Sequence, residues 1–315
     1  MSAAACLAAY AVTIAVTAPR ILPRLTRSGI APRWGVAAWL AAIASAVLAS
    51  TAFVGVIAAE ALTGTSAVEA CEHLVQAFAR AHSTPAAQSA TTAVALAAAT
   101  AVACAGVRLT RDLANRRRVT FGHARSARMV GRRIAGVDAV VLDAPERAAY
   151  CVAGRPHAIV VTSGALKALD HPQLDAVLAH ERAHLSGRHP QVLAVVRALA
   201  DTAPRVSLFT TGAADIARLL EMCADDRAMR THEPRTLLHG LVALTGAGPV
   251  PDSAVGAGDV AVLDRAGRLA SPAGRGDRVR NRAQLGAAIT LLAAVPLGAT
   301  ALAVAGRMLC ITTLL

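Results

Sequence analysis

The residues of this chain best suited to chemistry are His180-Glu181-Arg182-Ala183-His184. On a helix, residues four apart lie on one face, so His180 and His184 can present two imidazole nitrogens to a single zinc ion. Glu181 then projects beside the metal and can take a proton from the attacking water. Zinc makes that step feasible at neutral pH, because it lowers the pKa of water from 15.7 to about 7 and polarises the scissile carbonyl. A chance HExxH is expected only roughly 0.01 times in a chain of this length and composition.

A catalytic zinc takes three protein ligands and keeps one position open. His189 follows Gly187 in a way that approaches the longer HExxHxxGxxH pattern, but that pattern puts its histidine at 190, where Pro190 stands. Glu221 is the better third ligand. It lies forty residues beyond Glu181, with Asp225 one helical turn further along the same face. One carboxylate can then bind zinc while the other orients a ligand histidine.

These side chains need two helices to hold them. Residues 172–186 read as the first: Asp170 and His171 stand where a cap belongs, Pro172 suits the first turn and Gly187 the stop. Residues 213–229 read as the second, with Ile216, Leu219, Leu220 and Cys223 at helical spacing. The β-branched runs 139–142 and 158–162 predict strands. Residues 192–209 predict a helix and turn packed in the domain or resting on the membrane surface. The segment 247–276 is rich in Gly, Pro and Ser and reads as a linker.

Around this domain the chain is apolar: 55% of its 315 residues are hydrophobic and 17% charged, against about a quarter charged in soluble domains. Residues 2–18, 34–59, 89–107 and 284–306 are each long enough to span a bilayer core as helix. The connecting charges orient them. Arg20, Arg24, Arg27 and Arg33 follow the first span with no acid, whereas Glu60, Glu69 and Glu72 face only Arg80 after the second. Nine arginines between 108 and 133 face Asp112 after the third, and Arg275, Arg278, Arg280 and Arg282 face Asp277 before the fourth. The N-terminus is thus expected outside and the domain in the cytoplasm. The formal charge of +12 marks membrane boundaries, and the Arg116-Arg117-Arg118 cluster suits anionic headgroups. Six scattered cysteines without a CxxC spacing predict no disulfide framework.

With Glu221-Met222-Cys223-Ala224-Asp225-Asp226 downstream of His180-Glu181-Arg182-Ala183-His184, the chain resembles the gluzincin membrane metallopeptidases, which carry HExxH followed by ExxxD. Within them it is most similar to the BlaR/MecR-type antirepressor family, in a short form without a C-terminal penicillin-binding sensor domain. The resemblance implies a mainly α polytopic membrane protein with about four transmembrane helices and a cytoplasmic α+β zinc domain with a small sheet. The expected divisions are 1–107 for three spans, 108–246 for the metallopeptidase domain, 247–283 for a basic linker and 284–315 for the last span. It implies one Zn2+ per chain, with His180, His184 and Glu221 as ligands, Glu181 as general base and Asp225 behind a ligand histidine. It also implies an edge strand, 158–162, that pairs with extended substrate.

The implied substrate is a cytoplasmic protein, in the best-known relatives a winged-helix BlaI/MecI-type repressor. The alternatives are a quality-control protease of membrane proteins and a signalling scaffold with a silent protease-like domain. No direct nucleic-acid binding is expected, for want of a helix-turn-helix or finger motif. His232, His239, Arg227 and Tyr150 are candidates for stabilising the oxyanion, worth roughly 2.7 to 4 kcal/mol per donor. His123, His157 and Cys223 read as packing or surface residues.

Overall fold

The computed structural model describes residues 3–63, 85–133, 139–244, 255–256, 262–271 and 273–312. Two helices, α1 (Ala3–Thr26) and α2 (Pro32–Thr63), form an N-terminal hairpin, followed by the long α3 (Pro85–Val130). Within the first two, Ala4–Thr26 and Pro32–Ala58 are long and apolar enough to cross a membrane, and only 11% and 28% of their most apolar windows are buried. A core helix of a soluble protein would be mostly covered, so this exposure favours membrane association. The expected first span stops at residue 18, yet α1 continues through Pro19 and Pro23 to Thr26. The expected spans 89–107 and 284–306 fall within α3 and the C-terminal helix α10 (Arg275–Thr312), both of which run on into arginine-rich turns. Most of the expected external loop lies outside the described residues.

The domain begins with a hairpin of strands. β1 (Arg132–Arg133), β2 (Val140–Leu142), β3 (Ala149–Val152) and β4 (Ala158–Thr162) are joined by β5 (Val255–Gly256) in a sheet of order β1-β2-β4-β3-β5. Only β2 and β4 are parallel. Strand 158–162 forms as expected, but it lies in the middle of the sheet, not at its edge. The short β3–β4 connection folds as a hairpin, which puts β3 on the outer side, and β5 pairs there antiparallel. β3 buries both faces: Ala149 and Cys151 face the main core, Tyr150 and Val152 a smaller cluster with Ala124 and Ala127 of α3.

Beyond the short α4 (Ser163–Ala168) come α5 (His171–Ser186), α6 (His189–Thr202), α7 (Ser207–Ala228) and α8 (Pro234–Ala243). Asp170 caps α5 through a reciprocal box: its carboxylate accepts from the Gln173 N–H at 2.8 Å, and the Gln173 side chain accepts from the Asp170 N–H. Gly187 ends that helix and Arg188, at φ 54°, turns the chain at once into α6. The expected helix and turn of 192–209 are α6 and the bend before α7. Part of the segment expected as a linker is ordered: it holds β5 and the helix α9 (Val262–Ala270).

One apolar cluster runs from α1 and α2 into the domain, with Leu22, Trp39 and Ile43 joining Leu208, Ile216 and Leu219. The N-terminal hairpin therefore shares a core with the helix that carries Glu221.

Candidate metal centre

The helical period brings His180 and His184 one turn apart on α5, and packing against α7 brings Glu221 to them. Their ligand atoms form a small triangle. His180 Nε2 and His184 Nε2 are 3.1 Å apart, and each lies 3.4 Å from a Glu221 oxygen. Atoms bound to a tetrahedral zinc at 2.0–2.1 Å lie about 3.4 Å from one another, so the three groups are spaced as such a site requires. All three are buried, and Glu221 Oε2 receives no aligned hydrogen bond although Arg265 Nη1 is 3.3 Å away. A buried carboxylate oxygen left in this state is costly unless a cation completes it. The donor set fits a zinc ion.

Each imidazole has a polar neighbour behind it, at its other nitrogen. Asp225 Oδ1 lies 3.2 Å from His180 Nδ1. His189, set aside as a ligand in the sequence, comes to rest with its Nδ1 2.9 Å from His184 Nδ1. Burial, aided by the charge of neighbouring His184, drives the His189 ring down to about 3, so it is neutral and can accept the His184 N–H. Gly187 leaves room for it: a Cβ there would stand 2.3 Å from His189 Nε2. Burial would lower His180 too, but the adjacent Asp225 and Glu221 carboxylates carry it up to about 9.

Glu181 is fully buried on the side of α5 that meets β3. Burial pushes its carboxyl up to about 8, against the opposing pull of His180 and of the thiol and backbone of Cys151. A base poised near neutrality is suited to proton transfer at physiological pH. Cys151 is a neighbour that the sequence did not flag, since β3 is too short for a recognisable pattern.

The structure also contributes a residue from outside both motifs. Arg265 of α9 is buried and donates to Asp225 through Nε at 2.9 Å and Nη2 at 2.6 Å. Arg268, one turn on, reaches Asp226 at 2.5 Å. No sequence signal singled out Arg265 in a segment of linker composition. Of the oxyanion candidates, Tyr150 faces away from the centre, across the sheet, where its hydroxyl is 3.4 Å from His123 Nε2. Arg227 and His239 are exposed and His232 is half-buried beyond the end of α7.

Two histidines and a carboxylate around one point, with a buried glutamate beside them, on two helices packed against a small sheet, are the parts of a metallopeptidase domain. Residues 112–238, from within α3 to α8, match the model of peptidase family M48. The match takes in both motifs and stops before Arg265. No curated protein and no solved structure matches the chain.

Proposed function

We propose that this protein is a membrane-anchored zinc endopeptidase with His180, His184 and Glu221 as zinc ligands and Glu181 as general base. The observation that carries the reading is the buried 3.1, 3.4 and 3.4 Å triangle with Glu181 next in sequence to one of its corners. The family match adds the reaction class. Zinc would supply polarisation of the scissile carbonyl and a lowered pKa for water. Glu181 takes the proton of the attacking water as its oxygen adds to the carbonyl carbon, then gives that proton to the leaving amine as the C–N bond breaks. Asp225 and His189 keep the two imidazoles turned toward the centre.

The test is the Glu181→Gln protein purified in detergent. It should keep one zinc per chain and lose cleavage of an unfolded protein substrate by at least about a hundredfold, the lower end of what a positioned acid-base group contributes. His180→Ala and Glu221→Ala should lose zinc and activity together. A zinc-loaded Glu181→Gln protein that cleaves at the wild-type rate sinks the mechanism.

For the substrate and placement, the likeness in layout to the antirepressor peptidases supports a four-span protein with its N-terminus outside, its domain in the cytoplasm and a BlaI/MecI-type repressor as substrate. The match to family M48 carries the peptidase class and not that branch, so quality control of membrane proteins stands beside it. Trapping with Glu181→Gln separates the two: one dominant winged-helix protein supports regulation, a broad set of membrane proteins supports quality control. Rescue of a deletion phenotype by Glu181→Gln would favour the non-proteolytic scaffold instead.

A further inference from the structure

Two cavities meet at the end of β3. The larger, about 730 Å³, is bounded by Arg128, Arg133, His157 and Arg182, the last of these inside the HExxH motif. The second, about 500 Å³, is bounded by Arg117, Arg155 and Arg197 over an apolar floor that includes Phe121 and Val195. Both share Ala153, Gly154 and Gln191, so together they form one trough. Among the described residues no aspartate or glutamate lines either part. Arg116, at its rim, is engaged by Asp112 and Asp201. Arg117, Arg133, Arg155 and Arg197 are in no ion pair among the described residues. Cations gathered in a concave site raise the local concentration of anions.

The trough adjoins the chemistry. Cys151, which neighbours Glu181, is two residues from Ala153, where β3 runs into the trough. The outer side of β3 takes an antiparallel strand: Val255–Gly256 pairs there with Cys151 and Tyr150, and an extended substrate would take that place in the same direction. In that direction, the residues preceding the one opposite Cys151 travel toward Ala153 and Gly154. An extended chain advances about 3.3 Å per residue, so a peptide on β3 brings residues about two to four places upstream to the mouth of the trough.

We propose that the trough is a specificity site for acidic peptide: the protease accepts extended substrates carrying Asp or Glu on the amino-terminal side of the cleaved bond. This rests on the zinc-endopeptidase reading. Arg133 and Arg155 are its test residues, because neither belongs to the metal centre.

The experiment uses the full-length, zinc-loaded Glu181→Gln protein in neutral detergent and two pools of fluorescent, randomised peptides, alike except for a fixed block of three Glu or three Gln. Fluorescence anisotropy should show the Glu pool binding about tenfold tighter, the sum of a few partly exposed ion pairs, with the advantage shrinking as salt is raised. Arg133→Glu/Arg155→Glu should abolish or invert the preference. Arg133→Gln/Arg155→Gln, a milder change, should reduce it if the reversal does not fold. Equal binding of the two pools overturns the proposal, as does a preference that survives both double variants. Failure of zinc-loaded wild-type protein to cut either pool, with the binding preference intact, overturns the protease reading and leaves the binding site standing.

Discussion

Arg265 reaches back across forty residues of chain to grip Asp225 at two points, Nε to Oδ2 at 2.9 Å and Nη2 to Oδ1 at 2.6 Å. Asp225 in turn stands 3.2 Å from His180 Nδ1. The α9 helix thereby closes a buried chain of charge from guanidinium to carboxylate to imidazole, and a segment outside the family match completes the centre. Arg265→Gln strips Asp225 of its two-point partner and leaves it only Arg268 Nη2 at 3.5 Å, a loss of up to about 3–5 kcal/mol. Arg265→Lys should not restore the loss, since an ammonium cannot reproduce the two-point grip. Thermal unfolding with zinc analysis checks this, and a variant with wild-type melting temperature and zinc content contradicts it.

The contact between His189 and His184 depends on the missing side chain at Gly187. Gly187→Ala should displace the His189 ring, because its Cβ would sit 2.3 Å from Nε2. Removing such an outer partner of a metal-bound histidine lowers affinity about 10–100-fold. Gly187→Ala and His189→Phe should both weaken zinc to that extent in competition with a chromogenic chelator. Unchanged affinity in both would mean that His184 needs no support from behind.

Asp215 ties the N-terminal hairpin to the helix of Glu221. Its carboxylate accepts from Thr26 Oγ1 at 2.5 Å and from Trp39 Nε1 at 2.6 Å, while Arg218 donates to its other oxygen at 2.6 Å. A hydrogen bond to a charged group is worth about 1.5–3 kcal/mol. Trp39→Phe should therefore destabilise by about one such bond, and Asp215→Ala by more, since it also strands Arg218. Chemical denaturation in detergent ranks them, and the reverse order would refute the assignment.

Cys223 should be inert in the folded protein. Burial, with the nearby Asp226, pushes its thiol up from 9.0 to about 12, so its thiolate fraction near neutral pH falls about a thousandfold. Cys151 is likewise raised by burial and then by the charge of Glu181. Maleimide labelling at pH 8, read by mass spectrometry, should modify both only after unfolding. The sign for stability follows: the folded state prefers the neutral Cys223 thiol, so this contribution is intact below pH 9 and is lost as pH rises from 9 toward 12.

The local parts of the centre were legible in the sequence because they depend on spacing alone. The period of 3.6 residues per turn sets His180 beside His184 and Glu221 beside Asp225, and the Asp170 cap and Gly187 stop fix where the first of those helices begins and ends. Strands 139–142 and 158–162 showed as β-branched runs for the same reason, with the first forming at 140–142. The order of the strands did not show, since nothing local in Ala149–Val152 distinguishes a strand, and so β4 was expected at the edge, whereas β3 and then β5 lie outside it.

What only the tertiary structure decided are the relations between distant segments. Bringing Glu221 to the two imidazoles, placing Cys151 on Glu181 and returning Arg265 to Asp225 each require elements to meet across tens of residues of chain, and the turn at Arg188 puts His189 behind His184. Such meetings are set by which apolar faces pack together, and the energy of a buried charge is set by what packing leaves around it. By itself the sequence determined that two imidazoles share a helix face able to bind zinc, with Glu181 next to them in the chain. Packing brought Glu221 to face them, and supplied the arginines that neutralise the charge behind.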